Sequence, residues 1–426
     1  MEKLLIQHGR LIDPVSGIGG TMDILIEEGK VTAIGSELHD SEARVLDAEG
    51  MMVSAGLVDI HVHLREPGFE YKETIETGCA AAAHGGFTAI ACMPNTKPVV
   101  DTPELVQFVK EQAEKACGVR VLPIGAVSKG QKGQELTDAL ALVKAGVAAF
   151  SDDGVPIQDA NLMRNALLIA REHKLPILTH SEDAGMVCNY ALNEGEVSRK
   201  LGIPGRPAIA EEIMIMRDAM LAEETGSAVH ICHVSTARSV DIVRQHKKKG
   251  VRITCETCPQ YFTLTEDEVL KQGTMARVNP PLRTKQDVEG IIEGLLDGTI
   301  DAIVTDHAPH SAEEKARPLP EAPSGMVGLE TSLAVTLTAL YHTGIMDLSS
   351  ILRKMTVAPA QILGLDMGRI AVGCDADIVI FDPDEEWIVN PERFASKGRN
   401  TPFGGHKLKG KVKYTIVGGN VIFQDK

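Results

Sequence analysis

Residues 56–63 read Gly-Leu-Val-Asp-Ile-His-Val-His, a short apolar run that ends in two histidines, His61 and His63. A run of this length and pattern predicts a β-strand, in which residues i and i+2 point to the same face. Both imidazoles can therefore aim at one point, as two ligands of a metal ion would. A pair of surface histidines is the alternative, and the His-x-His motif alone does not decide between them.

Similar apolar runs recur through the middle of the chain and alternate with helical patterns. The strand candidates are residues 58–63, 87–93, 120–126, 147–151, 176–180, 229–233, 251–256 and 301–305. Helical patterns between them include residues 71–84, 102–117 and 160–173. Eight β-α units over roughly 300 residues predict an α/β fold of the (β/α)8 TIM-like barrel type. A doubly wound open sheet also alternates strands and helices, so periodicity leaves both architectures open.

The two ends of the chain carry short strand patterns broken by glycine turns. These patterns cover residues 4–7, 22–27 and 30–35 near the start, and 376–381, 412–417 and 421–423 near the end. We therefore expect residues 1–55 and 366–426 to form one small β-sandwich domain built from both termini. Residues 56–365 would then form the barrel.

Composition excludes several classes of function. The chain has 426 residues, 43% of them hydrophobic, and a formal net charge of -16, which disfavours binding to nucleic acid or to anionic membranes. No apolar stretch approaches the roughly 18 residues of a membrane span, and residues 1–10 lack a signal-peptide pattern. The eight cysteines show no disulfide framework. We expect a soluble cytoplasmic protein.

Metal-capable side chains stand at several predicted strand ends, where (β/α)8 barrels form their active sites. Besides His61 and His63, these residues are His180, His233, Asp306 and the adjacent pair Asp152 and Asp153. Nitrogen and oxygen ligands of this kind hold Zn²⁺ with an open position, where the metal lowers the pKa of bound water to about 7. A carboxylate can bridge two zinc ions, and Asp306 is the natural candidate to move the proton. By strand alternation, His230 faces the helices and is expected to be a packed residue.

The same residues, read with their neighbours, resemble the amidohydrolase superfamily over nearly the whole chain. Within this superfamily, the sequence motifs are similar to those of dihydroorotases of the long bacterial type. The matching stretches are residues 56–68 (GLVDIHVHLREPG), 93–96 (MPNT), 150–154 (FSDDG), 279–283 (NPPLR), 305–310 (TDHAPH), 325–330 (GMVGLE) and 401–405 (TPFGG). Each stretch is weak or moderate evidence alone, but together and in this order they are highly specific.

The resemblance implies a zinc-dependent hydrolase of cyclic amide C–N bonds. Its reaction would be the reversible cyclisation of N-carbamoyl-L-aspartate to L-dihydroorotate in de novo pyrimidine (UMP) biosynthesis. The implied ligands of two Zn²⁺ ions per subunit are His61, His63, Asp153, His180, His233 and Asp306, with Asp153 as the bridge and Asp306 also as general acid and base. The implied substrate-binding residues are Arg65 and Asn95 for the carboxylate, Asn279 and His310 for the ring, and the backbone near Met326.

Arg65 lies two residues past His63, so it can stand at the rim of the pocket. A guanidinium group binds a planar carboxylate through two hydrogen bonds, and dihydroorotate carries a carboxylate that neutral hydantoins and dihydrouracil lack. The alternative for Arg65 is a surface salt bridge with Glu66 or Glu70, which would contribute little.

The fourth predicted strand distinguishes this chain from other enzymes of the superfamily that it resembles. Hydantoinases and allantoinases of the superfamily use a carbamylated lysine there, whereas residues 146–154 contain no lysine and Lys144 precedes the strand. Asp152 is a rival ligand, and its alternative is a helix-cap or hydrogen-bonding role. The choice of Asp153 over Asp152 as the bridge rests mainly on the resemblance.

Residues 255–261 (CETCPQY) differ from the dihydroorotase motif and are closer to the motif of hydantoinases and allantoinases. Cys255 and Cys258 are expected to be buried small hydrophobic residues rather than a redox pair.

Allantoinase or dihydropyrimidinase activity remains an alternative, as does a non-catalytic scaffold for aspartate carbamoyltransferase. A homodimer and an association of the active enzyme with aspartate carbamoyltransferase are further expectations. Residues 311–323 are expected to form a mobile loop that closes over the substrate.

Overall fold

The computed structural model describes residues 3–187 and 190–425. The strands are β1 (Leu4–Ile12), β2 (Gly19–Glu27), β3 (Lys30–Gly35), β4 (Arg44–Asp47), β5 (Met52–Ala55), β6 (Leu57–Val62), β7 (Phe87–Cys92), β8 (Arg120–Gly125), β9 (Ala149–Ser151), β10 (Ile177–Thr179), β11 (Leu192–Asn193), β12 (Gly205–Arg206), β13 (Val229–Ile231), β14 (Ile253–Thr257), β15 (Ala302–Ile303), β16 (Ile378–Ile388), β17 (Lys407–Val417) and β18 (Asn420–Gln424). The α-helices are α1 (Ile75–His84), α2 (Pro103–Glu114), α3 (Ala139–Ala145), α4 (Ala160–Glu172), α5 (Ala184–Val187), α6 (Glu196–Leu201), α7 (Ile209–Thr225), α8 (Ala237–Lys248), α9 (Pro259–Thr263), α10 (Glu268–Gln272), α11 (Lys285–Leu296), α12 (Ala312–Lys315), α13 (Ser332–Thr336), α14 (Leu348–Met355) and α15 (Val357–Ile362).

The central sheet has eight strands that pair in chain order, from β6 through β10 and then β13 to β15. Every pairing between neighbours is parallel. Beyond the end of β15, His307 forms a parallel bridge with Val62 of β6, and the His63 amide donates to the His307 carbonyl over 2.8 Å. The last strand therefore meets the first, which confirms the barrel and excludes the open sheet.

An irregularity in β6 decides which way its two histidines face. Val58 and Ile60 belong to one apolar cluster, whereas Val62 belongs to the cluster that includes the helices. The pairing register between β6 and β7 shifts between Asp59 and Val62. A bulge of this kind reverses the alternation of side chains, so His61 and His63 turn toward the barrel interior.

The strands near the two termini form a second sheet, in the order β18-β17-β16-β5-β1-β2-β3 with β4 beside β1. Its pairings are mixed, since β1 runs parallel to β4 and β5 and antiparallel to β2. Residues from both ends, such as Ile6, Ile24 and Ile378, share one apolar core. The expectation that both termini build one β-structure is confirmed, while the exact division at residues 56 and 365 stays a prediction.

The helices begin and end close to their predicted positions. The predicted ranges 71–84, 102–117 and 160–173 correspond to α1, α2 and α4. At the start of α1, the Thr74 side chain accepts from the Thr77 amide, and the Thr77 side chain accepts from the Thr74 amide. This capping box satisfies two backbone amides that have no partner within the helix. Among the described residues, no helix has both the length and the apolarity needed to cross a membrane.

Candidate active site

Six side chains from the ends of five barrel strands meet inside the barrel mouth, and each is at most 6% exposed. They are the six residues implied as metal ligands: His61, His63, Asp153, His180, His233 and Asp306. Their potential ligand atoms form two sets, each within 4.8 Å: one of His61, His63 and Asp306, the other of Asp153, His180 and His233. Cys232 joins His61 and Asp153 in a third set. Burial of both histidines of β6 rules out the surface-pair alternative.

Asp153 belongs to the second set and also lies close to the histidines of the first. Its Oδ1 atom is 3.5 Å from Nε2 of His61 and 3.6 Å from both Nδ1 of His180 and Nε2 of His233. Its Oδ2 atom is 3.5 Å from Nε2 of His63. The carboxylate can thus reach ligands of both sets at once, as a bridging group would need to do.

Three buried atoms at this centre have no hydrogen-bond partner among the described residues. They are Nε2 of His61, Oδ1 of Asp153 and Nδ1 of His233. Buried polar atoms are normally hydrogen-bonded, because leaving one unpaired costs its desolvation energy. Imidazole nitrogen and carboxylate oxygen are also the donor types that divalent transition metals bind. The residues therefore fit a bound metal ion.

The charge balance keeps the Asp153 carboxylate ionised. Burial raises the pKa of Asp153, but the surrounding histidines outweigh it and hold that pKa well below its usual range. Burial lowers the pKa of His180, whereas Asp153 and Glu182 raise it, with a net rise to about 9. Histidine binds a metal ion only in its neutral form, so a cation at this centre would take the place of the proton on His180 beside the ionised Asp153.

Two of these residues adopt a backbone conformation that is uncommon outside glycine. The φ angle is +35° at His233 and +47° at Asp306, and it is +65° at Arg65 nearby. Left-handed residues with a side chain cost conformational energy and cluster at functional sites. Each lies where the chain leaves a strand end, so the turn directs its side chain toward the centre.

Glu256, at the end of β14, contacts the centre and was not among the residues predicted from the sequence. Its Oε1 atom lies 2.6 Å from Nδ1 of His61, and its Oε2 atom lies 3.0 Å from Nε2 of His230. His230 is buried, as expected, but the expectation that it faces the helices is wrong: Val229 and Ile231 on either side of it pack with the helices, while its Nδ1 lies 2.8 Å from the Thr254 hydroxyl, on the same side as Glu256. The position of Glu256 near a strand end was a usable signal, but it lay within the stretch 255–261 that departs from the resemblance.

Asp152 and Asp153 have different surroundings. The Asp152 carboxylate accepts from the amides of Val127 (2.8 Å) and Ser128 (3.2 Å) and from the Ser128 hydroxyl. Burial raises the pKa of Asp152 to about 6. Asp152 therefore supports the loop that follows β8, in the hydrogen-bonding role considered for it, while Asp153 points into the centre.

Arg65 stands beside the centre and is held by the chain that follows β15. Its Nε atom donates to the Pro309 carbonyl over 3.2 Å, and one terminal nitrogen lies 3.4 Å from Nε2 of His310. Glu66 accepts instead from the Ile75 amide, and Glu70 from the Gly68 amide. The salt-bridge alternative for Arg65 is therefore wrong for the described residues.

The other predicted substrate residues lie nearby, but their polar groups already have protein partners. Oδ1 of Asn95 is 2.9 Å from Nδ1 of His63. Oδ1 of Asn279 accepts from Arg206 over 2.6 Å, and its Nδ2 is 3.2 Å from Nε2 of His180. Met326 is 2% exposed, and its carbonyl accepts from the Ala308 amide over 2.8 Å.

His310 is enclosed by positive charge. Its Nε2 atom is 2.9 Å from the Ser324 carbonyl, and its Nδ1 atom is 3.3 Å from Nζ of Lys72. Burial, together with the charges of Arg65 and Lys72, lowers the pKa of His310 far below its ordinary value. Its imidazole is therefore neutral, and Lys72 is a nearby cation that no sequence motif had singled out.

The segment expected to be a mobile lid is anchored at its centre. Residues 312–315 form α12, which Ser311 caps by accepting from the Glu314 amide. Lys315 is 1% exposed, and its Nζ atom donates to the carbonyls of Pro323 (3.1 Å) and Gly325 (3.0 Å). The movement of residues 311–323 over a substrate stays a prediction. Cys255 and Cys258 are buried free thiols, as expected.

Sequence comparisons identify the family. Residues 50–239 match the family model described as dihydro-orotase-like, and residues 339–423 match the one described as amidohydrolase family. A dihydroorotase from Pelotomaculum thermopropionicum is 51% identical over 428 residues, covering 100% of this chain and 99% of the relative. The chain belongs to the dihydroorotase family. Another member, from Acetivibrio thermocellus, is 48% identical, with 99% of each chain covered.

Solved structures support the barrel architecture of this dihydroorotase family member. An L-hydantoinase from Arthrobacter aurescens superimposes with a TM-score of 0.89 at 27% identity, covering 100% of this chain and 96% of the other. A dihydropyrimidinase from Brevibacillus agri gives a TM-score of 0.87 at 24% identity, covering 100% and 95%, and that likeness concerns the fold alone. The family and its amidohydrolase relatives make this protein a hydrolase of cyclic amide bonds.

Proposed function

We propose that this protein catalyses the reversible cyclisation of N-carbamoyl-L-aspartate to L-dihydroorotate, a step of de novo pyrimidine (UMP) synthesis. The observation that carries the proposal is a fixed guanidinium group beside a buried histidine and carboxylate centre. Arg65 leaves β6 two residues after His63 and rests on the Pro309 carbonyl. Full-length relatives named dihydroorotase support the same assignment.

Arg65 would bind the carboxylate that remains on the ring product. Its Nε atom is occupied by Pro309, so the remaining N–H groups are the ones available to a ligand. Two parallel hydrogen bonds from a guanidinium fix both the position and the plane of a carboxylate. A neutral cyclic amide would leave this cation without a partner, which disfavours hydantoin or dihydrouracil as substrates.

We assign two zinc ions to the six ligands, with Asp153 as the bridge. The three unpaired buried atoms and the two ligand sets support this assignment. Bound zinc would supply Lewis acidity, which activates water and polarises the ring carbonyl. Nδ1 of His63 contacts Asn95, and Nδ1 of His61 contacts Glu256. These contacts orient the two imidazole rings before a metal ion binds.

Asp306 would transfer a proton between the attacking water and the ring nitrogen. Its Oδ1 atom lies 3.1 Å from Nε2 of His63 and 3.6 Å from Nε2 of His61, so the carboxylate borders the position of the reacting atoms. In ring opening, Asp306 would accept a proton from the attacking water and deliver it to the departing ring nitrogen. In ring closure the same carboxylate would run the two transfers in reverse.

The fourth barrel strand supports dihydroorotase over its sister activities. Lys144 lies in α3, before β9, and residues 146–154 contain no lysine that could be carbamylated as a bridge. Asp153 occupies the end of this strand instead. A homodimer and an association with aspartate carbamoyltransferase stay predictions.

Ring opening of L-dihydroorotate by the purified protein, followed by ultraviolet absorbance, tests the proposal directly. We expect turnover that disappears after chelation and returns with zinc, and little turnover of dihydrouracil, hydantoin or allantoin. Arg65→Gln should raise the KM for L-dihydroorotate by about 100-fold or more. Arg164→Gln, which removes an exposed arginine paired with Glu224, is the control. Turnover of neutral cyclic amides in preference to L-dihydroorotate would contradict the proposal.

A further inference from the structure

The chain that follows β15 carries both catalytic and substrate-binding groups, yet it is not held by the barrel alone. Residues 305–310 include Asp306 and His310, and their neighbours in space are residues 325–328. A third segment, residues 396–400, packs against both. This third segment belongs to the connection between β16 and β17 and thus lies beyond the barrel in sequence.

Asn400 joins the two site segments through its side-chain amide. Its Oδ1 atom accepts from the His310 amide over 3.0 Å. Its Nδ2 atom donates to the Ala308 carbonyl over 3.1 Å and to the Gly325 carbonyl over 3.0 Å. Asn400 is 2% exposed, and its own carbonyl accepts from the Val327 amide over 2.8 Å. Both amide hydrogens and the amide oxygen are thereby used.

The close approach of this segment is built into its sequence. A Cβ atom on Gly398 would lie 2.7 Å from Cβ of Pro309 and 2.6 Å from Cγ1 of Val327. Contacts below 3.0 Å are too short for real Cβ atoms, so a side chain here would push the segment away. Glycine at this position therefore permits the contact that lets Asn400 reach its three partners.

Pro309 connects this arrangement to substrate binding. Its carbonyl holds Nε of Arg65, and it lies between Ala308 and His310, the two residues that Asn400 fixes. We propose that Asn400 is a positioning residue that sets the place of Arg65 and His310, and so controls substrate affinity. The proposal rests on the function proposed above, in which Arg65 binds the substrate carboxylate.

The test compares Asn400→Ala with Asn390→Ala in the metal-loaded, full-length enzyme. Asn390 lies in the same connection but is exposed, and among the described residues its Oδ1 atom accepts only from the nearby Glu392 amide, so it controls for the loss of an asparagine side chain in this connection away from the site. We expect Asn400→Ala to raise the KM for L-dihydroorotate at least about tenfold, with kcat changed by less than about threefold. Asn400→Asp should not rescue the KM, because a carboxylate cannot donate to the Ala308 and Gly325 carbonyls.

Hydrogen exchange provides a readout that does not depend on turnover. Peptides covering residues 304–311 should exchange faster in Asn400→Ala than in Asn390→Ala, since the His310 amide loses its acceptor. If Asn400→Ala does not fold, Gly398→Ala is measured instead with the same expectations.

A parallel loss of kcat and stability with unchanged KM would overturn the proposal, as would unchanged exchange or rescue by aspartate. If the unaltered enzyme does not turn over L-dihydroorotate, the proposed function fails, and the exchange measurement still decides whether Asn400 holds the loop.

Discussion

Nδ1 of His61 lies 2.6 Å from Oε1 of Glu256, and neither side chain is exposed to solvent. This contact fixes the imidazole so that Nε2 points toward Asp153 and Asp306. Burial raises the pKa of Glu256, but His61 and His230 outweigh it and lower the pKa to about 2. A permanently ionised carboxylate behind a ligand histidine orients the ring and increases its basicity.

Glu256→Gln should therefore weaken metal binding and lower kcat/KM by about 10- to 100-fold, because the neutral amide keeps the shape but loses the charge. Metal affinity can be measured by competition with a chromophoric chelator. Glu268→Gln is the control, since Glu268 is also buried but pairs with Lys271 at the surface. An unchanged metal affinity in Glu256→Gln would show that the contact has no role at the centre.

Asp152 and Asp153 should respond differently to the same substitution. Asp153→Asn should reduce the bound metal and abolish turnover, because it removes the charge between the two ligand sets. Asp152→Asn should retain metal but lose about 1–3 kcal/mol of folding stability, because Asp152 accepts three hydrogen bonds from Val127 and Ser128. Elemental analysis and urea denaturation of both variants distinguish the two roles. Retention of metal by Asp153→Asn would contradict the assignment of the bridge.

Removal of metal should destabilise the protein as well as inactivate it. Without a cation, the buried Nε2 of His61 and Oδ1 of Asp153 have no partner among the described residues. We expect a lower thermal midpoint after chelation and its recovery with zinc, since a ligand that binds only the folded state stabilises it. Differential scanning calorimetry measures the shift. Identical midpoints for the apo and zinc-loaded protein would argue against a metal at these residues.

Lys315 should make stability depend on pH. Burial lowers its pKa from 10.5 to about 7, so between these values the unfolded chain binds more protons at this residue than the folded chain does. Stability contributed by this group therefore rises as the pH increases from about 7 toward 10.5.

Urea denaturation at pH 7 and pH 9 tests this dependence. The free energy of unfolding should increase more across this interval in the wild type than in Lys315→Met. Lys285→Met, at an exposed helix position, should behave like the wild type. Equal pH dependence in all three proteins would show that Lys315 does not titrate in this range.

Much of the site could be predicted because parallel strands bring their carboxyl ends to one edge. His180, His233 and Asp306 each follow a recognisable apolar run, so their convergence with the histidines of β6 followed from the barrel. The partners of these residues could not be predicted in the same way. Glu256 and His61 are 195 positions apart, and contacts of that separation leave no periodic pattern in the chain.

The sequence by itself determined the order of strands and helices, the pairing of both termini in one sheet and the chemical types at the strand ends. These features depend on local periodicity and on which residues follow each strand. Tertiary structure alone decided that a register shift turns His61 and His63 inward, and that Asp153 rather than Asp152 faces the centre. It also decided that Asn400 joins the site. Each of these outcomes depends on packing between segments that are distant in the chain, where a shift of one residue reverses the direction of a side chain.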